Sequence, residues 1–304
     1  MKNIFSSLLF TVFCFSNILA NADTLLIKKH LTEITKSNTY RNFENTDRLN
    51  EVAKYIFDHF NQYSKSVNYQ EFQVNGETYK NVICSFGDLN AKAVIIGAHY
   101  DVNGNQEGAD DNASGVVGLL ELARLLKNKK LNYRIDLVAY TLEEPPFFRS
   151  KLMGSYIHAK SLVESKANVY GMVSLEMIGY FDENENSQSY PIASLSSIYG
   201  NKGDYITLVN KFEKGEFANK FNTEFQKRKS IKTEIFDSEI PLPGIDLSDH
   251  LNYWNFGFSA LMITDTAFLR NRNYHTAGDT MEKLDIIKMS KVIDSVYEAL
   301  INLG

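Results

Sequence analysis

Residues 93–101 of the chain read Ala-Val-Ile-Ile-Gly-Ala-His-Tyr-Asp, an apolar run that ends in polar residues. Strands that are buried on both faces of a sheet have this continuous apolar character. Similar runs over 135–140, 171–178 and 260–264 predict three more buried strands. Amphipathic stretches such as 115–126 predict helices between them. The alternation predicts an α/β fold, a mostly parallel mixed sheet sandwiched by helices in three layers.

The remaining stretches extend this pattern at both ends. Residues 23–63 predict two helices, and residues 67–82 alternate in a way that predicts a hairpin or edge strands. Residues 284–303 predict a closing helix. The stretch 182–245 is rich in Asn, Ser and Lys, and we interpret it as an insertion with one strand-like run and one helix near 205–217. We therefore expect residues 23–304 to form a single domain.

The first 22 residues differ in composition from the rest. An apolar run over 4–20 ends in Ala20-Asn21-Ala22, a small-x-small cleavage pattern. This combination is typical of a secretory signal peptide, and the run is short for a membrane-spanning helix. We expect cleavage after Ala22 and a secreted or periplasmic protein without membrane contact thereafter. An uncleaved anchor is the alternative.

The composition excludes several classes of protein. Hydrophobic residues make up 44% and charged residues 23% of the chain, which excludes disordered, collagen-like and polytopic membrane proteins. A formal charge of −5 without a basic stripe indicates no nucleic-acid partner. One of the two cysteines, Cys14, lies in the signal segment, so Cys84 cannot form an internal disulfide. Any metal must be held by His, Asp and Glu.

Residues that can bind metal follow each of the predicted buried strands. In an open parallel sheet, ligands bind outside the carboxyl ends of the strands. These side chains are therefore expected to meet at one edge of the sheet. The residues are His99, Glu143, Glu144, Glu176 and His275.

A further candidate is the acidic turn 108–115, which includes Asp111 and opens a helix. Zinc accepts imidazole nitrogen and carboxylate oxygen with about four ligands per ion, and a carboxylate can bridge two ions. With one ligand from the adjacent pair Glu143 and Glu144, the candidates supply two histidines and three carboxylates, a set that suits two zinc ions. Asp101, two residues after His99, is placed to accept the second N–H of that imidazole and fix its tautomer.

Five motifs in this order resemble those of the secreted dizinc aminopeptidases. That family includes bacterial leucyl aminopeptidases and aminopeptidase Y, and it is related more distantly to glutamate carboxypeptidase. The resemblance covers about 93–181 and 245–284. The motifs are His99-x-Asp101, the turn 108–115, Glu143-Glu144-Pro145-Pro146, the stretch 174–180 and the stretch 273–280.

The resemblance implies a zinc exopeptidase-like fold and a secreted, zinc-dependent exopeptidase. The implied reaction removes N-terminal residues from peptides, using a water held between two zinc ions. The implied roles are Asp111 as the bridging ligand, His99 with Glu176 on one zinc, Glu144 with His275 on the other, and Glu143 as general base. One departure is that position 176 is most often Asp in the family and is Glu here.

Three other functions remain open on the sequence. One is a single-zinc acyltransferase similar to glutaminyl cyclases, and another is an inactive relative that acts as a binding module. The third is a carboxypeptidase of the same family, which would need a basic pocket for the substrate carboxylate. Candidates for that pocket are Arg149, Arg270 and Arg272.

Several neighbouring residues keep a structural and a functional interpretation. We expect Asp110 to be a solvated helix cap. Asp279 is expected to cap the following helix or to support the loop of His275. Tyr274 is a candidate for contact with the tetrahedral intermediate but is expected to pack. Candidates for contact with substrate, in addition to Tyr274, are Met177, Tyr180 and His250.

Overall fold

The computed structural model describes residues 21–211, 213, 215–238, 242 and 244–304, so the predicted signal segment over 1–20 lies outside the described residues. Its helices are α1 (Thr24–Thr35), α2 (Thr46–Phe60), α3 (Gly115–Leu126), α4 (Gly154–Glu164), α5 (Ser196–Tyr199), α6 (Gly215–Lys227), α7 (His250–Asn255) and α8 (Ile286–Ile301). Its strands are β1 (Ser66–Val74), β2 (Glu77–Phe86), β3 (Ala93–His99), β4 (Arg134–Tyr140), β5 (Val169–Glu176), β6 (Ile206–Lys211), β7 (Thr233–Ser238) and β8 (Ala260–Thr264).

The eight strands form one mixed sheet in the order β1-β2-β4-β3-β5-β8-β6-β7. The four central strands β4, β3, β5 and β8 run parallel, and β7 is parallel to β6. The hairpin of β1 and β2 joins β4 in the antiparallel sense, as β6 joins β8. The mostly parallel mixed sheet is therefore confirmed.

Helices cover both faces of the sheet, and β3 shows why its sequence is apolar throughout. Val94 and Ile96 pack on one face with residues of α1, α2, α3, α6 and α8. Ala93 and Ile95 pack on the other face with residues of α4 and α7. Successive side chains on a strand point to opposite faces, so a strand between two helical layers is apolar at every position. The three-layer α/β prediction is confirmed.

The stretch 182–245 contributes more to the sheet than the sequence indicated. It holds two strands, β6 and β7, rather than one, with α6 between them. The run near 205–217, predicted as a helix, contains β6 and only the start of α6. The strand β6 is a short buried apolar run, and periodicity alone does not distinguish such a run from a segment of a buried helix. Among the described residues, no helix has the length and apolar composition required to span a bilayer.

Candidate metal centre

The carboxyl ends of the parallel strands meet at one edge of the sheet and bring the candidate ligands together. His99 is the last residue of β3, and Glu176 is the last residue of β5. Glu143 and Glu144 lie in the turn after β4, and His275 lies in the loop after β8. These residues and Asp111 form overlapping groups of three whose ligand atoms lie within 4.8 Å of one another. The strand ends thus supply one cluster, as the topology predicts.

Asp111 lies between the two histidines. Its Oδ1 is 3.3 Å from His99 Nε2, and its Oδ2 is 3.1 Å from His275 Nε2. Each histidine has a second carboxylate neighbour. Glu176 Oε2 lies 3.4 Å from His99 Nε2, and Glu144 Oε2 lies 3.2 Å from His275 Nε2. Two triads therefore share Asp111, one oxygen each. We call them the His99 triad and the His275 triad.

The spacing of these atoms fits a divalent metal ion in each triad. Zinc binds nitrogen and oxygen ligands at about 2.0–2.2 Å, so the corners of a tetrahedron around it lie roughly 3.3–3.5 Å apart. The ligand pairs in the triads are separated by 3.1–3.4 Å. Two of the atoms, His275 Nε2 and Glu144 Oε1, make no hydrogen bond within the described part of the chain. Nitrogen and oxygen atoms that converge without a hydrogen-bond partner are the arrangement expected of metal ligands.

Glu143 belongs to neither triad but lies beside the His99 triad. Its Oε2 is 3.8 Å from His99 Nε2. The preceding Leu142 has a left-handed backbone, with φ of 59°, and this turn directs Glu143 toward His99 and Glu144 toward His275. Burial raises the pKa of Glu143 well above its usual range, and the charges of Glu144 and Glu176 add to the effect. A carboxyl group of this kind can accept and return a proton near neutral pH.

Two members of the His275 triad hold protons more strongly than free side chains do. Burial raises the pKa of Glu144 to about 7, with the charge of Asp111 acting in the same direction. Burial lowers the pKa of His275, but the carboxylates of Asp111 and Glu144 outweigh it and raise that pKa to about 10. Metal ligands must be deprotonated, so binding of a cation here would release protons.

Asp101 positions the two glutamates that follow β4. Its Oδ1 accepts a hydrogen bond from the amide of Glu143 at 3.3 Å, and its Oδ2 accepts one from the amide of Glu144 at 3.1 Å. His99 Nδ1 lies 3.2 Å from its hydrogen-bond partner, the backbone carbonyl of Asp101, and 3.5 Å from Oδ1, the acceptor that the sequence predicts. One buried carboxylate therefore orients the backbone of both glutamates.

A wide cleft opens beside Glu176. Strands β6, β7 and β8 line one side of it. Among the described residues, no Lys or Arg lines the cleft, whereas two carboxylates, Glu176 and Glu234, do. Most of its other walls are apolar or aromatic, including Tyr190, Leu195, Tyr199, Phe236, Met262 and Phe268.

A comparison with protein-family models matches residues 81–300 to "Peptidase family M28". The match covers the site and most of the sheet. The chain belongs to peptidase family M28. It is thus a hydrolase that acts on peptide bonds.

Relatives and solved structures agree with membership of the M28 family. "Uncharacterized protein YfbL" of Escherichia coli is 41% identical over 284 residues, which cover 91% of this chain and 87% of that protein. A "Probable leucine aminopeptidase" of Trichophyton verrucosum is 26% identical over 223 residues, which cover 69% of this chain and 52% of that protein. The chain therefore spans about half the length of that aminopeptidase.

Two crystal structures share the fold. LapB from Legionella pneumophila superposes with a TM-score of 0.72 at 22% identity, covering 93% of this chain and 72% of LapB. A glutaminyl cyclase from Bacteroides thetaiotaomicron superposes with a TM-score of 0.68 at 20% identity, covering 93% of this chain and 99% of the cyclase. At these identities, the likeness shows the fold alone.

Three residues that support the M28 site had no signal in the sequence. Ser248 Oγ donates to Glu176 Oε2 at 2.8 Å, and Asn112 Nδ2 donates to the same oxygen at 3.2 Å. The amide of Asn103 lies 3.2 Å from His275 Nδ1. Each is a common polar residue in a loop, and only its position next to a candidate ligand marks it.

Asp279 supports a different loop from the one expected. Its two oxygens accept hydrogen bonds from the amides of Asp110 at 2.9 Å and Asp111 at 3.0 Å. It therefore holds the turn that carries Asp111. It does not cap the short helical turn Met281–Lys283, whose first residues receive no side-chain cap.

The prediction that Asp110 is a solvated cap was wrong. The side chain is fully buried. It accepts hydrogen bonds from the amide of Gly179 at 3.1 Å and from Asn271 Nδ2 at 2.8 Å. Asp110 thus joins the segment after β5 and the loop after β8 to the acidic turn.

Of the four candidates for substrate contact, the structure places Tyr274 at the cleft. His250 is buried, with Nε2 2.7 Å from the carbonyl of Ile245 and its ring edge against Trp254. The Tyr274 ring stacks on His275 at 3.8 Å between centroids and also borders the cleft. Neither of the other two, Met177 and Tyr180, lines the cleft.

The arginines considered for a carboxylate pocket are engaged or distant. Arg149 pairs with Asp246 at 2.8 Å. Arg270 is buried and donates to the carbonyl of Tyr205 at 2.7 Å. Arg272 is exposed, and none of the three lines the cleft.

Proposed function

We propose that this M28 peptidase is an exported aminopeptidase that holds two zinc ions and removes N-terminal residues from peptides. The observation that carries the proposal is the pair of triads that share Asp111, one carboxylate oxygen for each. Each triad offers three protein ligands, the number typical of catalytic zinc sites that keep a position for water.

The residues divide the work between holding metal and moving a proton. His99, Asp111 and Glu176 would hold one ion, and Asp111, Glu144 and His275 would hold the other. Zinc bound there supplies an activated water and polarisation of the scissile carbonyl. Glu143 takes the proton of the attacking water and passes it to the leaving amine. Asp101 keeps Glu143 and Glu144 in place through their amides.

The charge of the cleft favours a substrate with a free amino end. Its carboxylate that is not a proposed metal ligand, Glu234, attracts an ammonium group and repels a carboxylate. A carboxypeptidase would need a cation at this place, and the described walls offer none. The apolar and aromatic walls favour a large apolar N-terminal side chain. A relative named as a probable leucine aminopeptidase agrees with this preference.

A glutaminyl cyclase-like acyl transfer is the second candidate, because a cyclase shares the fold over 99% of its length. Metal content separates the two functions. Two zinc ions per chain support the peptidase, and one ion together with cyclisation of N-terminal glutamine supports the cyclase.

The test is a substrate panel on the zinc-loaded protein. It contains leucyl-, alanyl- and glutamyl-nitroanilides, an N-acetylated dipeptide and a peptide with N-terminal glutamine, each with and without a chelator. We expect chelator-sensitive release from leucyl-nitroanilide and none from the blocked peptide. Cleavage of the blocked peptide from its carboxyl end would contradict the proposal. The same panel is run on the variant Glu143→Gln. Its matched control is Glu164→Gln, which changes an exposed glutamate.

The proposed destination rests on residues 1–22. Their apolar run and small-x-small end support export and removal of the leader. Fractionation of cells that express residues 1–304 tests it. We expect the protein outside the cytoplasm and lighter by the mass of the leader, whereas a full-length cytoplasmic product would contradict export.

A further inference from the structure

Residues 21–23 are held by charged side chains of α3 and α8 and by Arg228, which follows α6. The amide of Ala22 donates to Asp294 Oδ1 at 2.7 Å, and the amide of Asp23 donates to Glu121 Oε2 at 2.7 Å. Glu121 lies on α3 and Asp294 on α8. Two carboxylates from different helices therefore accept hydrogen bonds from the consecutive amides of Ala22 and Asp23. These two residues flank the predicted cleavage point of the leader.

These carboxylates are buried, which makes their charge costly unless a cation compensates it. Glu121 is 0% exposed and Asp294 is 6% exposed. Arg124 lies 2.8 Å from Glu121, and Arg228 lies 3.0 Å from Asp294. Arg228 is also shared with a third carboxylate, Glu298, at 3.1 Å. Three carboxylates thus face two guanidinium groups, and the cluster has a deficit of one positive charge.

We propose that Glu121 and Asp294 form a binding site for the α-ammonium group that arises when the Ala22–Asp23 bond is cut. The proposal rests on the proposed removal of the leader by a signal-peptide protease. Hydrolysis adds one water across this bond, so that Ala22 leaves with the new carboxylate and Asp23 keeps the amine. The amine takes a proton at neutral pH and supplies the missing positive charge.

The site is built around the atom that becomes the ammonium. Asp23 N lies 2.7 Å from Glu121 already as a neutral amide, and charge makes such a hydrogen bond stronger. Asp23 also begins α1, since its Oδ1 accepts from the amides of Leu25 and Leu26. The positive end of the helix dipole opposes an ammonium at this place. The two carboxylates must therefore outweigh the dipole, and their burial allows it.

The ion pair has a defined pH dependence. Attraction to Glu121 raises the pKa of the amine above its ordinary value of about 8. The stabilisation is present below that ordinary pKa and is lost as pH rises through the raised one. Other charged or titratable groups near the pair, besides the arginines and Glu298, are the Asp23 carboxylate, Lys29, His30, His59 and Tyr63.

Burial lowers the pKa of His30 to about 3 and also lowers the pKa of His59, so neither competes as a cation at neutral pH. A guanidinium group is not deprotonated in proteins, so an arginine does not titrate in this range. A stability difference between the exported form and the Ala22-retaining form that is lost between pH 8 and 10 therefore reports deprotonation of the Asp23 amine.

The experiment begins with the full chain expressed with its own leader. The first residue of the exported protein is read from its mass, and Asp23 is expected. Its melting temperature is compared with that of a cytoplasmic chain that keeps residues 21–22 behind a starting Met, in which the nitrogens of Ala22 and Asp23 stay amides. We expect the exported form to melt on the order of 3–5 °C higher at pH 7, with the difference lost near pH 10. Equal melting temperatures at both pH values, or a first residue other than Asp23, would overturn the proposal.

A second measurement needs no substitution. The rate at which an amine reagent labels Asp23 is followed against pH in the folded exported protein and after denaturation. We expect slower labelling and a higher apparent pKa in the folded state, and an ordinary pKa in both states would contradict the site.

A substitution gives a third measurement. Glu121→Gln should lower the melting temperature more in the exported form than in the Ala22-retaining form, whereas the exposed control Glu164→Gln should affect neither. None of these readouts depends on peptidase activity, so failure of the proposed function leaves them unchanged.

Discussion

Asp101 accepts a hydrogen bond from the backbone amide of Glu144 at 3.1 Å, with the carboxylate completely enclosed. The same side chain accepts a hydrogen bond from the preceding backbone amide, that of Glu143, at 3.3 Å. The candidate metal ligand and the candidate general base therefore depend on one carboxylate. Its removal should disturb both functions together.

The variant Asp101→Asn tests this dependence. Asn has one acceptor oxygen for the two amides, and its NH2 group would face a donor. We expect zinc affinity and kcat each to fall about 10- to 100-fold, the usual effect of losing a group that orients metal ligands. Competition with a chelating dye measures the affinity. Asp88→Asn, at an exposed turn, is the control, and an Asp101→Asn protein with unchanged metal affinity would disprove the role.

The variant Glu143→Gln separates proton transfer from metal binding. Glu143 lies outside both triads, so we expect the zinc content to remain and kcat to fall about 10²- to 10⁴-fold. Metal analysis by mass spectrometry, with a leucyl substrate assay, checks both quantities. Glu144→Gln, which changes a triad member, should instead lose metal from the His275 triad. Loss of zinc from Glu143→Gln would show that Glu143 is itself a ligand.

The variant Phe236→Ala tests the cleft as the place of the N-terminal side chain. Phe236 on β7 lines the cleft, and its removal takes away apolar contact area. We expect KM for a leucyl substrate to rise on the order of tenfold, with a smaller change for an alanyl substrate. Ile287→Ala, at a side chain that is 64% exposed on α8, is the control. Equal effects on both substrates would place the side chain elsewhere.

Acid should destabilise the fold through its buried histidines. His158 is fully enclosed beside the Tyr253 hydroxyl, and burial lowers its pKa from 6.5 to about 4. Between these values the unfolded chain binds a proton that the folded chain does not, so stability falls as pH falls from 6.5 to 4. His158 alone accounts for about 3 kcal/mol of this loss.

Urea unfolding at pH 7 and pH 4.5 measures the effect in the native protein and in His158→Gln. We expect the variant to be less stable at pH 7 but to lose less stability on acidification. The comparison is made in chelator at both pH values, so that metal release does not contribute. Equal losses in the two proteins would show that His158 is not the source.

Much of the fold follows from local sequence. A parallel strand between two helical layers is mostly apolar, so β3, β4, β5 and β8 are visible as runs. The hairpin of β1 and β2 shows as alternation around Gly76. In contrast, the short buried run of β6 fits a helix as well as a strand, and its pairing with β7 and β8 depends on the tertiary structure. The boundaries of the leader, of the single domain and of the insertion stay predictions.

The sequence by itself determined which residues end the buried strands, and strand ends in a parallel sheet share one edge. This rule alone places His99, Glu176 and the glutamate pair after β4 at one site. Only the tertiary structure decided what supports them. Asp279 holds the turn of Asp111 across a separation of 168 residues, and such a contact leaves no periodicity or spacing in the chain. Local patterns record burial, whereas the partners of a buried polar group depend on how distant loops fold together.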